Sequence, residues 1–146
     1  MSSQNRRTIS FGTYYDFADQ KLKQTNEIPP FLLPLRATVA EFAGISSVEL
    51  AQVLITEYSP GAGIGWHRDR PVFGDVVGVS FLSECRFRFR RQAGEKWERA
   101  EQKLEARSIY LMRGQARTVW EHSIPPGDQL RYSVTFRTLK EFSSVR

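Results

Sequence analysis

The stretch "LRYSVTFRTL", Leu130–Leu139, alternates with a two-residue period. On an extended backbone, successive side chains point to opposite faces. Tyr132, Val134 and Phe136 then share one face, and Arg131, Ser133, Thr135 and Arg137 share the other. The apolar face can seal a sheet. The polar face either looks to solvent or turns two arginines inward, where they need anionic partners.

Similar segments recur throughout the chain. "AQVLITEYS" (51–59), "DVVGVSFLS" (75–83), "RSIYLMRG" (107–114) and "ARTVWEHSI" (116–124) read as strands closed by Gly- or Pro-containing turns. "CRFRFRRQ" (85–92) places Phe87 and Phe89 on one face and Arg86, Arg88 and Arg90 on the other. That arginine row reads as a solvated sheet face or a phosphate-tracking strip. "AGEK" turns the chain into a return strand near "WERAEQKL". Nearer the N-terminus, "TISFGTYYDF" reads as one or two short strands and "DQKLKQTNEIPP" as a loop or turn. "PPFLLPLRATVAEFAG" carries Leu32, Leu35, Val39 and Phe42 at helical spacing, with Gly44 as the left-handed stop. Many short strands with one packed helix predict a mainly β fold with helical decoration, a jelly roll or another sandwich.

The 146 residues suit one domain with one core. No stretch is apolar for long enough to span a bilayer, so no membrane partner is expected. "MSSQNRRTIS" lacks the apolar core of a secretory signal. The lone Cys85 cannot form an internal disulfide and fits a reducing, cytoplasmic location. A net charge of +5 leans toward a polyanionic partner or a generic basic surface. The expected assembly state is a monomer.

The chain has two histidines. In "YSPGAGIGWHRDRP" (58–71), His67 and Asp69 stand two residues apart and share a face if the segment is extended. His122 lies on another expected strand. Two histidines and one carboxylate on one side of a metal leave open positions, the pattern of non-haem Fe(II) oxygenases. The alternative is a histidine–acid pair hydrogen-bonded at the surface. Trp66 points away from His67, toward core or rim. If the Arg131–Arg137 face turns inward, its arginines sit roughly 20 Å apart at their α-carbons. Their side chains can then lean toward the two ends of a small dicarboxylate such as 2-oxoglutarate.

From about Gln52 to Leu139, "EYSPGAGIGWHRD", "RSIYLMRG", "WEHSIPP" and "RYSVTFR" occur in the order and spacing of the AlkB family of Fe(II)/2-oxoglutarate dioxygenases, which this chain resembles. "SFGTYYDF…IPPFLLPL" resembles the segment that precedes the family core. The resemblance implies a double-stranded β-helix with Fe(II), 2-oxoglutarate and molecular oxygen as cofactor and cosubstrates. It assigns iron to His67, Asp69 and His122. Arg131 goes to the distal carboxylate of 2-oxoglutarate, Arg137 to the end nearer the iron, and Tyr58 to a cosubstrate hydrogen bond. Thr56 and Ser133 stand where a well-known repair member has asparagines that hold the cosubstrate. Pro71 stands where repair members often carry a base-recognising acid, with Arg68 and Arg70 beside Asp69. The expected organisation is one domain over 1–146: a substrate-lid-like segment over 1–30, a supporting helix over 31–50 and the jelly-roll core over 51–140.

The implied activity is oxidative demethylation of alkylated nucleobases, with methylated DNA or RNA as partner. The same chemistry on a protein side chain or small molecule is the alternative, and a non-catalytic jelly-roll binding module is a third. In the lid-like segment, Arg6 and Arg7 can hold phosphates, and Tyr14 and Tyr15 with Phe11 and Phe17 can stack a base. The other reading is an edge hairpin whose aromatics pack on the core. Arg68 and Arg70 complete the candidate substrate contacts.

Overall fold

A computed structural model describes residues 6–16, 21–24 and 26–140. Their strands are β1 (Arg6–Asp16), β2 (Lys21–Gln24), β3 (Leu50–Tyr58), β4 (Ile64–His67), β5 (Phe73–Phe81), β6 (Cys85–Ala93), β7 (Lys96–Leu104), β8 (Ser108–Met112), β9 (Glu121–Ile124) and β10 (Arg131–Leu139). They form a six-stranded sheet, β2-β1-β3-β10-β5-β8, and a four-stranded sheet, β4-β9-β6-β7. The strand pairings are antiparallel, as β10 shows with β3 on one side and β5 on the other. Mostly β, with antiparallel sheets and little helix, the chain has the jelly-roll architecture of an oxygenase fold. No helix among the described residues is long and apolar enough to cross a membrane.

Strand β10 is central to the larger sheet, and its two faces do different work. Val134 and Phe136 join Val53, Val77 and Val79 in a core that the helix covers. Each such buried side chain contributes about 1.5–3 kcal/mol. Arg131, Ser133 and Thr135 of the other face are also buried, and Arg137 nearly so. The polar face therefore turns inward, between the sheets, and the solvent-facing alternative is excluded. A second core of Val76, Phe87, Leu104 and Met112 closes the space between the sheets.

A 3-10 turn at Pro30–Leu32 leads into α1 (Leu33–Ala43). Gly44 ends it at φ 73°, its N–H bonded to the Ala40 and Glu41 carbonyls. Leu32, Val39, Ala40 and Ala43 face the sheet. Phe42, expected on that face, is 54% exposed. At 100° per residue, Ala43 lies about 40° around the helix from Val39 and Phe42 about 60° the other way. The sheet-facing stripe therefore runs through Ala43.

Two further expectations are corrected. The polar run expected to be a loop contains β2, which pairs with β1 from Thr13↔Gln24 to Asp16↔Lys21. A polar sequence suits that position, because β2 is an edge strand. The segment expected to be a strand from Ala116 begins instead in a short helix, α2 (Gln115–Thr118), and only Glu121–Ile124 is strand. Arg117 explains the helix: its guanidinium donates to the carbonyls of Arg70, Phe73 and Gly74, anchoring that turn to the loop after β4 and the start of β5.

Candidate metal centre and cosubstrate cavity

His67 is the last residue of β4 and pairs across the small sheet with His122 of β9. Asp69 lies just beyond the strand end. The register places the two imidazoles side by side, with ring centroids 4.3 Å apart. One ligand atom from each of His67, Asp69 and His122 lies within 4.8 Å of the others. Asp69 Oδ1 is 3.3 Å from His67 Nε2 and 3.5 Å from His122 Nε2.

The hydrogen bonds of the site fix which atoms face inward. His67 Nδ1 lies 2.8 Å from the Gly65 carbonyl, which can only accept. Nδ1 therefore carries a proton, and Nε2 is the ring atom that faces Asp69. Arg137 donates to Asp69 Oδ2 through Nε at 2.9 Å and Nη2 at 2.8 Å, leaving Oδ1 for the imidazoles. Arg137 Nη1 reaches Gln52 Oε1 and Thr135 Oγ1 at 3.1 Å each. His67 Nε2, His122 Nε2 and Asp69 Oδ1 thus converge on one point, a set of atoms that suits a cation when both rings are neutral.

The titration behaviour follows from this packing. Burial opposes the charged form of Asp69, but Arg137 and the two histidines outweigh it and hold its carboxyl well below the usual value. Burial also acts against the His67 imidazolium, yet hydrogen bonds to Asp69 and the Gly65 carbonyl raise its pKa. His122 is more deeply buried, and burial lowers its pKa despite Asp69.

A cavity of about 110 Å³ extends from this cluster between the sheets. His67, Asp69, His122, Arg131 and Arg137 all line it, as do Thr56, Tyr58 and Ser133. Thr56, Tyr58, Arg131 and Ser133 are all buried. Arg131 lies with its guanidinium carbon 5.1 Å from the Tyr58 ring centre and donates from Nε to Ser80 Oγ at 3.0 Å. Its buried Nη1 has no hydrogen-bond partner among the described residues. A buried, unanswered guanidinium N–H at the end of a cavity suits a carboxylate.

The candidate substrate contacts divide. Arg6 pairs in register with Tyr58, lines the cavity, and has a buried Nη1 with no hydrogen-bond partner among the described residues. Arg7, one residue on, faces outward and bonds Glu57 at 2.7 Å, so alternation removes it from the site. The side chains of Tyr14 and Tyr15, and the whole of Phe17, lie outside the described residues. Phe11 packs against the helix-covered core, as an edge strand would have it. Arg68 and Arg70 line a separate groove beyond Asp69, together with Pro71, and Arg68 donates to the Val119 carbonyl.

Tyr110 was not singled out from sequence. Partly buried, it packs edge-on against Phe87 and lines the cavity, and the surroundings of its hydroxyl push that pKa far up, keeping it neutral. Its ring covers Gly78, where an added Cβ would sit 2.2 Å from it. The alternation of Tyr110 with Met112 in "RSIYLMRG" was the available signal. Gln52 and Thr135, which steady Arg137, gave no comparable one.

The model of the 2OG-Fe(II) oxygenase superfamily matches residues 3–137. An alkylated DNA repair protein ALKBH8 homolog from Arabidopsis thaliana is 26% identical over 144 residues, covering 82% of this chain and 42% of that protein. The uncharacterized protein L905 of Acanthamoeba polyphaga mimivirus is 29% identical over 101 residues, 60% of this chain and 48% of its own length. The chain thus spans less than half the length of each of these curated relatives. It belongs to the 2OG-Fe(II) oxygenase superfamily, as an AlkB-like member.

Proposed function

We propose that this protein oxidatively demethylates alkylated nucleobases in DNA or RNA, using iron held by His67, Asp69 and His122 and 2-oxoglutarate held by Arg131. The observation that carries the reading is one cavity lined both by the His67, Asp69 and His122 cluster and by Arg131, whose buried Nη1 has no hydrogen-bond partner among the described residues. The similarity to a relative named for repair of alkylated DNA supports the choice of substrate.

When bound, iron with 2-oxoglutarate and oxygen supplies the oxidising chemistry that hydroxylates an N-methyl group, whose product sheds formaldehyde. The chain's own residues do the placing. Gly65 fixes the His67 tautomer, and Arg137 turns Asp69 so that Oδ1 faces both imidazoles. Arg131 takes the distal carboxylate of the cosubstrate, with Tyr58 against it. Thr56 and Ser133 offer hydroxyls along the wall, and Arg137 lies toward the iron-side end. Arg6, with its N–H directed into the cavity, is placed to meet an anionic group of cosubstrate or substrate.

Pro71 favours a second reading, the same chemistry on a protein side chain or small molecule, because no acid stands there to hold a methylated base. A panel of methylated single- and double-stranded oligonucleotides separates the two. Formaldehyde released in proportion to succinate, and abolished in Asp69→Ala, supports nucleobase demethylation. Turnover of 2-oxoglutarate without oligonucleotide demethylation supports the second reading.

A further inference from the structure

The outer face of the four-stranded sheet lies behind the metal cluster. Phe87, Phe89 and His122 point inward from this sheet, so Arg86, Arg88 and Arg90 point out. The cross-strand neighbours of Arg86 and Arg90 on β7 are Lys103 and Arg99. Like charges directly opposite each other destabilise a sheet. Among the described residues, the carboxylates that bond to these cations are Glu84, Glu101 and Glu121. Arg88 stands opposite Glu101 on β7 and donates to the Ser123 hydroxyl. The face is left with a positive excess that the fold alone does not require.

Tryptophans stack against the same cations. Arg90 lies between two of them, its guanidinium carbon 4.5 Å from the Trp66 ring centre and 4.2 Å from that of Trp97. Arg88 lies 5.3 Å from Trp66. Stacking on indole holds a guanidinium flat, and the Arg90 Nε is taken by Glu121 at 2.8 Å, so Arg90 orders the two tryptophans beside the other cations. Trp97 remains 41% exposed, a large aromatic left at the surface beside this row. Trp66 immediately precedes His67, so the face begins one residue from the metal cluster.

We propose that this outer face, centred on Arg88, Arg99 and Trp97, binds a single strand of nucleic acid. Phosphates lie along the arginines, and a base stacks on the exposed side of Trp97. The proposal rests on the nucleic-acid reading above and adds a second contact surface to it. Alternating cations and exposed indole favour a strand with both phosphates and stackable bases over a merely acidic partner.

The test uses the full chain and fluorescence anisotropy with unmethylated single-stranded RNA and DNA probes about 12 nucleotides long. Replacing Arg88 and Arg99 together with glutamine is expected to weaken binding about tenfold or more. The log–log slope of affinity against salt should become shallower by about 0.7 for each phosphate that the variant no longer neutralises. Trp97→Ala is expected to weaken binding by a further factor of about ten, and Trp97→Phe to restore most of it. Unfolding midpoints confirm that each variant is folded. Unchanged affinity and slope in the arginine variant overturn the proposal. So does equal competition by polyglutamate, or the absence of binding by the unmutated chain. A methylated mononucleotide carries no flanking strand to lie on this face. Its formaldehyde release therefore reports on the catalytic reading alone, and is expected to be the same in these variants as in the unmutated protein.

Discussion

Replacing Arg137 with methionine removes the cation that faces Asp69. The two side chains are 11% and 9% exposed, and the shorter contact is 2.8 Å. With an effective dielectric of about 20, Coulomb's law gives about 6 kcal/mol at that separation. Desolvation of both ions offsets much of this within the folded protein. Removing one partner alone is costlier than the pair is worth, because it leaves a buried carboxylate unanswered, at about 3–5 kcal/mol. For a chain of this size that is a fall in Tm on the order of 10 °C in the metal-free protein. The assay is a double-mutant cycle by calorimetry at neutral pH, with Arg137→Met, Asp69→Asn and the pair. Neutralising Asp69 in the Arg137→Met background should recover a large part of the loss, giving a coupling energy of at least about 1 kcal/mol. If Arg137→Met is as stable as the parent, or if Asp69→Asn adds its own penalty in full, Asp69 is not a buried carboxylate held by Arg137, and the orientation argued for Oδ1 fails.

Three other outcomes follow from the same geometry. Gly78→Ala would drive a Cβ into the Tyr110 ring and should cost about 1–3 kcal/mol by thermal unfolding, with a repacked cavity. Arg117→Met removes donors to the Arg70, Phe73 and Gly74 carbonyls; a loss of about 2–4 kcal/mol in denaturant unfolding is expected, together with weaker divalent-metal binding, because that loop carries Asp69. Metal affinity should fall with acidification. Both imidazoles must be neutral to ligate, and the raised pKa of His67 makes it the first to protonate. Manganese titrations should therefore weaken as the pH falls through the raised His67 pKa, and weaken further as His122 protonates at lower pH.

The sheet architecture was legible because alternation is a local signal. Val134 and Phe136 against Ser133 and Thr135 announce two faces, and the structure buries both. The helix stop at Gly44 was legible for the same reason, since a left-handed residue is a local requirement. What sequence left open was which environment each face meets. "RYSVTFR" could equally have shown its arginines to water; only β3 and β5 on either side, and the second sheet opposite, make that face internal. The Arg137–Asp69 contact joins residues 68 apart in sequence and has no periodic signature. Phe42 and Ala43 compete for one helical stripe within a fraction of a turn, which apolarity alone cannot decide. Strand β2 is polar because it lies at an edge, so hydrophobic pattern could not reveal it.

The most direct test of the cavity as a cosubstrate site is calorimetric titration of 2-oxoglutarate into the manganese-loaded protein and its Arg131→Met variant. The parent should bind one equivalent. The variant should keep its manganese affinity but bind 2-oxoglutarate about 10- to 100-fold more weakly, the effect of losing a buried charge-assisted hydrogen bond. Unchanged 2-oxoglutarate affinity in Arg131→Met would contradict the assignment of that end of the cavity.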